Sequence, residues 1–407
     1  MKIVGILTEF NPFHSGHAHL LSELRRKLGE DTAIVCIMSG NFVQRGEPAI
    51  MEKHVRAEAA LLCGADVILE LPIARSIASA ESFAHGAIYM MQKTGCITHL
   101  AFGSECGDIA KLDTIAHCLN STEYNNALRK FLEQGLSFAA CRQGAIHEIL
   151  GEESAAVLEQ ANNNLGIEYL KAVQCLSWKC QAVTVVRRGA NHDSKDVGEY
   201  MSGSMLRNLM KKQDWETVGL AVPEKAAELY RKAFLCGRAP VTMASAERMI
   251  LAKLRTMEEE EFAQLPDCGE GLHHRLYQAA RKAKNLDDFF MRVKTKRYAL
   301  SRIRRIVMCA WLGIDREAAE ELPEYLRVLG CSVRGRTVLA QMRESAQLPV
   351  LVKPADAKRF TNAAQKQFQR EVCATEFYSL LYPELAQSLP GQEWRIGPVV
   401  LKVQEKS

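Results

Sequence analysis

Ile3-Val4-Gly5-Ile6-Leu7-Thr8-Glu9-Phe10-Asn11-Pro12-Phe13-His14-Ser15-Gly16-His17 opens the chain, and its reading decides the fold. Ile3–Leu7 is a short apolar run without alternation, the texture of a strand buried on both faces. Asn11-Pro12 marks a turn, and His17–Leu28 then reads as an amphipathic helix. Working outward, Ala33–Met38, Val67–Leu71, His99–Phe102 and Val183–Val186 repeat the strand texture, with helical patterns such as Glu52–Cys63 and Phe83–Gln92 between them. That rhythm predicts an α/β fold built on a doubly wound parallel sheet. Past Trp215 the texture changes. Ala226–Phe234, Ala244–Met257, Leu272–Ala283, Asp287–Val293 and Tyr298–Trp311 read as successive amphipathic helices, while Leu326–Gly330 and Leu348–Val352 are irregular segments or short strands. The expected organisation is an α/β domain over 1–220 followed by a mainly helical domain over 221–407, with no internal repeat.

Composition bounds the class. The 407 residues are 47% hydrophobic and 25% charged, an ordinary globular balance that excludes disordered, collagenous and low-complexity chains. The 13 cysteines show no CxxC pair, the nearest being Cys175 and Cys180, so free thiols in a reducing compartment are expected rather than a disulfide scaffold, zinc ribbon or other structural metal. The N-terminus is charged too early for a signal peptide. No apolar run approaches the ~18–20 residues of a membrane helix. A cytoplasmic protein without membrane association is expected.

The near-neutral total hides an asymmetry. From Arg275 to Arg305 there are eleven basic residues and two acidic ones, a net +9 within a chain whose total is +4, which leaves −5 elsewhere. In that segment Lys294, Lys296, Arg297, Arg302, Arg304 and Arg305 surround Tyr298. Charge for phosphates beside a ring for stacking is the pattern of an RNA-binding face. Ordinary solvated helix faces mix their signs.

The candidate chemistry sits where the first strand hands over to a helix. In open α/β sheets ligands lie beyond the carboxyl ends of the strands, against free N–H groups of the next helix. Here an HxGH pattern supplies two imidazoles, His14 and His17, while Gly16 permits close backbone approach to a phosphate.

The segment from Gly5 to His17 resembles the HxGH loop of the nucleotidyltransferase superfamily related to class I tRNA synthetases. Further stretches resemble one family within it, the bacterial tRNA(Met) cytidine acetate ligases: Asn41-Phe42-Val43-Gln44-Arg45-Gly46-Glu47-Pro48, Phe102-Gly103-Ser104-Glu105, Asn162–Leu170, Arg187-Arg188-Gly189-Ala190 and Ser202–Arg207. The match continues through Lys294–Arg297 and Leu329-Gly330. The resemblance implies a Rossmann-like HxGH nucleotidyltransferase domain that activates acetate with ATP as acetyl-adenylate, releasing pyrophosphate. Acetyl then passes to the amino group of the wobble cytidine of elongator methionine tRNA. ATP is the implied co-substrate, with Mg2+ accompanying it, and tRNA and acetate are the implied partners.

The implied ATP contacts are Leu7, Thr8, Glu9, Phe10, Asn11, Pro12, Phe13, His14, Gly16, His17 and Leu20 in the loop, with Gly103, Asn162 and Arg187 beyond it. The chain departs from the family at Ala161, where proline is expected, at Asn164, where an aliphatic residue is expected, and in a shorter stretch after Arg188. For acetate attack on the α-phosphate, catalysis is positioning plus electrostatic stabilisation, for which His14 and His17 are the candidates. Ser202, Ser204 and Arg207 open a helix and are read as β,γ-phosphate contacts, against the plainer reading of a capped helix with a surface arginine. Arg45, beside Gln44, suits either acetate or phosphate. Lys53 and Arg56 are either a further phosphate contact or a solvated face. Glu105 and Asp108 are ribose or magnesium partners, or routine helix caps, and His192 and Asp193 are loop residues near the site. Two other functions compete: a small-molecule adenylyltransferase sharing the loop, and a non-catalytic RNA-binding protein.

Overall fold

The computed structural model describes residues 1–134, 136–187, 198–269 and 271–402. Its strands are β1 (Ile3–Thr8), β2 (Ala33–Ser39), β3 (Phe42–Val43), β4 (Glu47–Pro48), β5 (Val67–Leu71), β6 (His99–Ser104), β7 (Gln181–Val186), β8 (Leu326–Cys331), β9 (Val350–Leu351) and β10 (Val399–Val400). Eight of them form one sheet in the order β10-β8-β5-β2-β1-β6-β7, with β9 on β8; β3 and β4 make a separate ribbon. From β5 to β7 all pairings are parallel. The chain runs outward through β2 and β5, then returns to the other side of β1 to lay down β6 and β7. The reversal lies between β1 and β6, so their carboxyl ends open the crevice where such sheets bind ligands.

Every residue of β2 and β5 is buried, Glu70 included, as expected of central strands whose two faces are covered by helices. One face carries helices Ser15–Leu28, Lys53–Leu62, Gly203–Lys211 and Glu224–Leu235. The other carries Ala80–Lys93, Ile109–Leu119, Ala161–Cys175 and Val333–Ser345. Helices Met243–Thr256, Leu272–Lys282, Leu286–Val293 and Leu300–Leu312 share a further core with Phe42 of β3 and with Ile73, Ala74 and Ile77. The helical part is therefore packed directly on the ribbon. Among the described residues no helix is long and apolar enough to cross a membrane.

The expected doubly wound sheet is present and mostly parallel, with β8 joining β5 antiparallel. Strands β8, β9 and β10, which lie beyond residue 220, return to it from the far end of the chain. Leu326–Gly330, read as an irregular segment or short strand, lies in the strand β8, and Arg327, which interrupts its apolar run, is only 3% exposed.

Its burial is possible because the charge is met. Arg327 Nη2 lies 2.8 Å from Glu393 and its Nε 3.3 Å from Glu70, while Lys53 Nζ lies 2.7 Å from each of the same carboxylates. Two cations and two carboxylates thus close a buried square joining the Lys53–Leu62 helix, β5, β8 and the short Gln392–Arg395 helix. Burial favours the neutral form of Glu393, but Lys53 and Arg327 hold its carboxyl down at about 2. Glu371 lies beside this square and accepts the Ile73 N–H; burial, with the charge of Glu70, pushes it up to about 8.

Candidate active site

The first strand ends at Thr8, and Phe10 then takes the left-handed conformation with φ of +47°. A non-glycine residue there costs on the order of 1–3 kcal/mol and persists only where neighbours over-determine it. Those neighbours are visible. Phe10 is buried, Asn11 Oδ1 accepts the Ile50 N–H at 2.9 Å, and Arg207 Nη1 donates to the Asn11 carbonyl at 2.8 Å.

His14 caps the helix that follows. Its Nδ1 accepts the Gly16 N–H at 3.1 Å, and the Nδ1 of His17 accepts the His14 N–H at 3.2 Å. The rings lie 3.9 Å apart. Burial, followed by the fields of Arg187 and Arg207, lowers His14 to about 3. Burial, His14 and Arg187 take His17 well below its ordinary value. Both imidazoles are therefore neutral near pH 7, and since each Nδ1 is an acceptor, each Nε2 carries the proton. The pair offers two fixed N–H donors rather than two cations.

These groups line a cleft of about 510 Å³ at the carboxyl ends of β1, β6 and β7. Leu7, Thr8, Glu9, Phe10, Asn11, Pro12, Gly16 and Leu20 line it with the two histidines, and so do Arg45, Gly103, Asn162, Arg187 and Arg207. On the far wall, Arg187 Nη1 donates to Asn162 Oδ1 at 2.7 Å, and Glu105 fixes Asn162 by accepting its Nδ2–H at 2.6 Å. A Cβ at Gly103 would stand 3.1 Å from Arg187 Cγ, so the glycine leaves room for that arginine beside the strand. On the near wall the β3–β4 ribbon is hung on Glu9, whose Oε1 accepts the Gln44 N–H at 2.7 Å, and this holds Arg45 at the rim.

Several candidates lie elsewhere. Phe13 is fully buried behind the loop, where its N–H donates to the Tyr230 hydroxyl at 3.0 Å, and it does not line the cleft. The Ser202 hydroxyl accepts the Met205 N–H as a helix cap; neither it nor Ser204 is on the cleft wall, although Gly203 between them is. Lys53 is neither a solvated face nor a phosphate contact, being spent in the buried square. Arg56 is fully buried and donates to the carbonyls of Met51, Glu9, Ser39 and Gly40, stitching the loop to β2. Asp108 caps a helix, accepting the Lys111 N–H at 3.1 Å. His192 and Asp193 lie outside the described residues. Sequence reasoning passed over Phe83, Tyr169 and His19, which also line the cleft. Aromatics at helical spacing read as core, and nothing local distinguishes these.

The basic stripe is partly structural. Arg302 donates to the Asp267 carbonyl at 3.0 and 2.8 Å, Arg305 lies 3.7 Å from the Asp267 carboxylate, and Arg304 covers the Phe290 ring. Tyr298 is only 6% exposed and belongs to the helical core, so its ring is not presented for stacking on a base. Lys294, Lys296 and Arg297 are exposed in the turn before the Leu300–Leu312 helix. That helix reaches the cleft rim. Gly46, at the ribbon tip with φ of +72°, would drive a Cβ to 2.5 Å from the Arg305 backbone nitrogen, so ribbon and helix are in direct contact.

A family described as HIGH Nucleotidyl Transferase matches residues 1–393. The tRNA(Met) cytidine acetate ligase of Caldanaerobacter subterraneus is 38% identical over 95% of this chain and 97% of its own. That of Syntrophomonas wolfei is 34% identical over 98% and 99%. The chain belongs to the tRNA(Met) cytidine acetate ligase family. A solved apo structure of a tRNA(Met) cytidine acetate ligase relative, TmcAL of Thermotoga maritima, matches with a TM-score of 0.94 at 33% identity, covering 98% of this chain and 100% of that one. The same protein bound with alpha-thio ATP matches at 0.92 and 32% identity, with the same coverage. Departures from the family pattern at Ala161 and Asn164 therefore sit in an otherwise complete fold, and both residues line the cleft.

Proposed function

We propose that this chain is an ATP-dependent ligase that activates acetate as acetyl-adenylate and transfers the acetyl group to the wobble cytidine of elongator methionine tRNA. The observation that carries the reading is the junction of two surfaces. The ribbon that lines the nucleotide cleft with Gln44 and Arg45 rests its tip on Arg304 and Arg305, at the start of the basic helix. A tRNA held on Lys294, Lys296 and Arg297 lies next to the cleft in which the adenylate forms. End-to-end relatives bearing this activity in their name support the reading, as does a relative that binds an ATP analogue in the same fold.

The residues suit the chemistry. As acetate displaces pyrophosphate, negative charge grows on the α-phosphate oxygens, and the two fixed imidazole N–H donors and the guanidinium groups of Arg187 and Arg207 are placed to meet it. Arg45 at the rim is the cation available to acetate. Glu105 is committed to Asn162 and Asn163, so a magnesium ion entering with ATP would be held chiefly by phosphate oxygens and water, with Glu9 the carboxylate within the cleft lining. Its chemistry there would be neutralisation of the departing pyrophosphate.

The test is incubation with ATP, labelled acetate and bulk tRNA. Label entering tRNA only with ATP present supports the ligase; AMP transfer onto a nucleotide substrate instead would identify a small-molecule adenylyltransferase. For the tRNA surface, Lys296→Ala with Arg297→Ala is expected to weaken tRNA binding. The slope of log K against log salt should become shallower by about 0.7–0.9 per lost phosphate contact. A fall in acetate activation at unchanged tRNA affinity would remove these residues from the RNA face.

A further inference from the structure

Transfer of acetyl to a cytidine amine needs a proton acceptor, because the attacking nitrogen must shed an N–H proton before the amide is stable. This requirement rests on the ligase reading above. The cleft offers few candidates. His14 and His17 are excluded by their own hydrogen bonds: each Nδ1 already accepts a backbone N–H, so each Nε2 is protonated and can only donate. Arg45, Arg187 and Arg207 are cations, and Asn11, Gln44, Asn162 and Asn164 are amides. The Tyr169 phenol is pushed up by burial and is no base.

Besides His19, whose ring stands edge-on to Tyr200, Glu9 remains, the one carboxylate among the described residues lining the cleft. It stands one residue past β1, at the carboxyl edge where the strand order reverses. Its Oε1 is anchored on the Gln44 N–H, and among the described residues Oε2 makes no hydrogen bond. The side chain is half-buried, open toward the cleft and otherwise enclosed. Burial raises its pKa, against the lowering effects of the Gln44 bond and of Arg207 and Arg56, while Glu47 adds a like charge and Tyr169 lies nearby. A more basic carboxylate is a better proton acceptor near neutral pH.

We propose that the Glu9 carboxylate takes the proton released when the cytidine amine attacks the acetyl-adenylate. The nitrogen lone pair forms the new C–N bond, and the N–H proton passes to Oε2. The tetrahedral adduct then collapses, breaking the bond between the acyl carbon and the phosphate oxygen, and AMP departs with that electron pair. The proton is afterwards lost from Glu9 to solvent.

The experiment separates the two half-reactions. Acetate-dependent ATP–pyrophosphate exchange reads adenylate formation, and a single turnover of synthetic acetyl-AMP with methionine tRNA reads transfer. Glu9→Gln retains an oxygen for the Gln44 N–H, so the ribbon keeps its anchor while the base is removed. The expected result is a fall of about 10²–10⁴-fold in transfer, far exceeding any loss in exchange. The acid limb of the wild-type transfer rate should disappear in the variant. Transfer at the wild-type rate, or exchange and transfer falling together, overturns the proposal. So does a larger transfer loss in His19→Gln, whose ring also borders the cleft. Failure of the wild-type protein to move acetyl from acetyl-AMP to tRNA would overturn the ligase reading, and this proposal with it.

Discussion

Replacing His17 with alanine is expected to abolish most acetyl-adenylate formation while tRNA affinity is retained. The His17 Nε2–H is a neutral, pre-aimed donor at the cleft wall, held by the bond from the His14 N–H to its Nδ1. Loss of one such donor to developing charge costs about 10²–10³ in rate. Because His17 also supports the loop backbone, the alanine frees the His14 N–H as well, so the effect should lie at the upper end. His17→Asn, which keeps a donor but shortens it, should recover part of the loss. Acetate-dependent ATP–pyrophosphate exchange and tRNA binding, measured on one preparation, decide the matter. Parallel loss of both would mean that the loop, and not the chemistry, had been damaged.

The second large effect is on stability. Lys53→Met should destabilise the protein by about 3–5 kcal/mol, because the ammonium is removed from between two buried carboxylates that cannot reach water. Denaturant unfolding measures it, and the KM for ATP of the folded fraction should be unchanged. A raised KM with normal stability would restore Lys53 to the cleft. The pH dependence has two windows of opposite sign. The Glu393 carboxyl is depressed from 4.5 to about 2, so its contribution is complete above pH 4.5 and lost as pH falls toward 2. The Glu371 carboxyl is raised from 4.5 to about 8, so the folded state holds a proton that the unfolded state has released, and stability declines as pH rises between those values. Relative to wild type, Glu371→Gln, which keeps an oxygen for the Ile73 N–H, should flatten that decline. An unchanged slope from pH 4.5 to 8 would show that Glu371 is ionised in the folded protein.

Much of the fold was legible because its signals are local. The five strands from β1 to β7 in the parallel part of the sheet are short, mostly apolar runs, and the helices between them keep a 3.6-residue period. Each announces itself within about ten residues. The HxGH loop was legible for the same reason, since a turn, a cap and the first helical residues are contiguous. Gly103, Asn162 and Arg187 were placed by resemblance to a family and Arg207 by its position at a helix start; far apart in the chain, they are brought together by the cleft.

What escaped were charges whose partners lie far away in sequence. Lys53 and Arg56 look like one solvated turn of helix. They are buried because Glu70 and Glu393 in one case, and four backbone carbonyls in the other, meet them from elements up to 340 residues distant. Arg327 in β8 is buried by the same device. Tyr298 looked like a stacking ring among cations, but the helices around it close over it. Glu9 could be read as a loop contact, yet its standing as the lone carboxylate among the described residues of the cleft follows from which side chains the sheet excludes.

For this chain, apolar periodicity and the HxGH junction were enough to specify a doubly wound sheet and the end of it at which the chemistry lies. A strand, a helix and its cap are each stabilised by neighbours in sequence. Folding in three dimensions settled which charges are structural, which face a ligand, and that the last eighty residues complete the first sheet. Burial and charge pairing are long-range, and the environment of an ionisable side chain is set by whatever the fold packs against it.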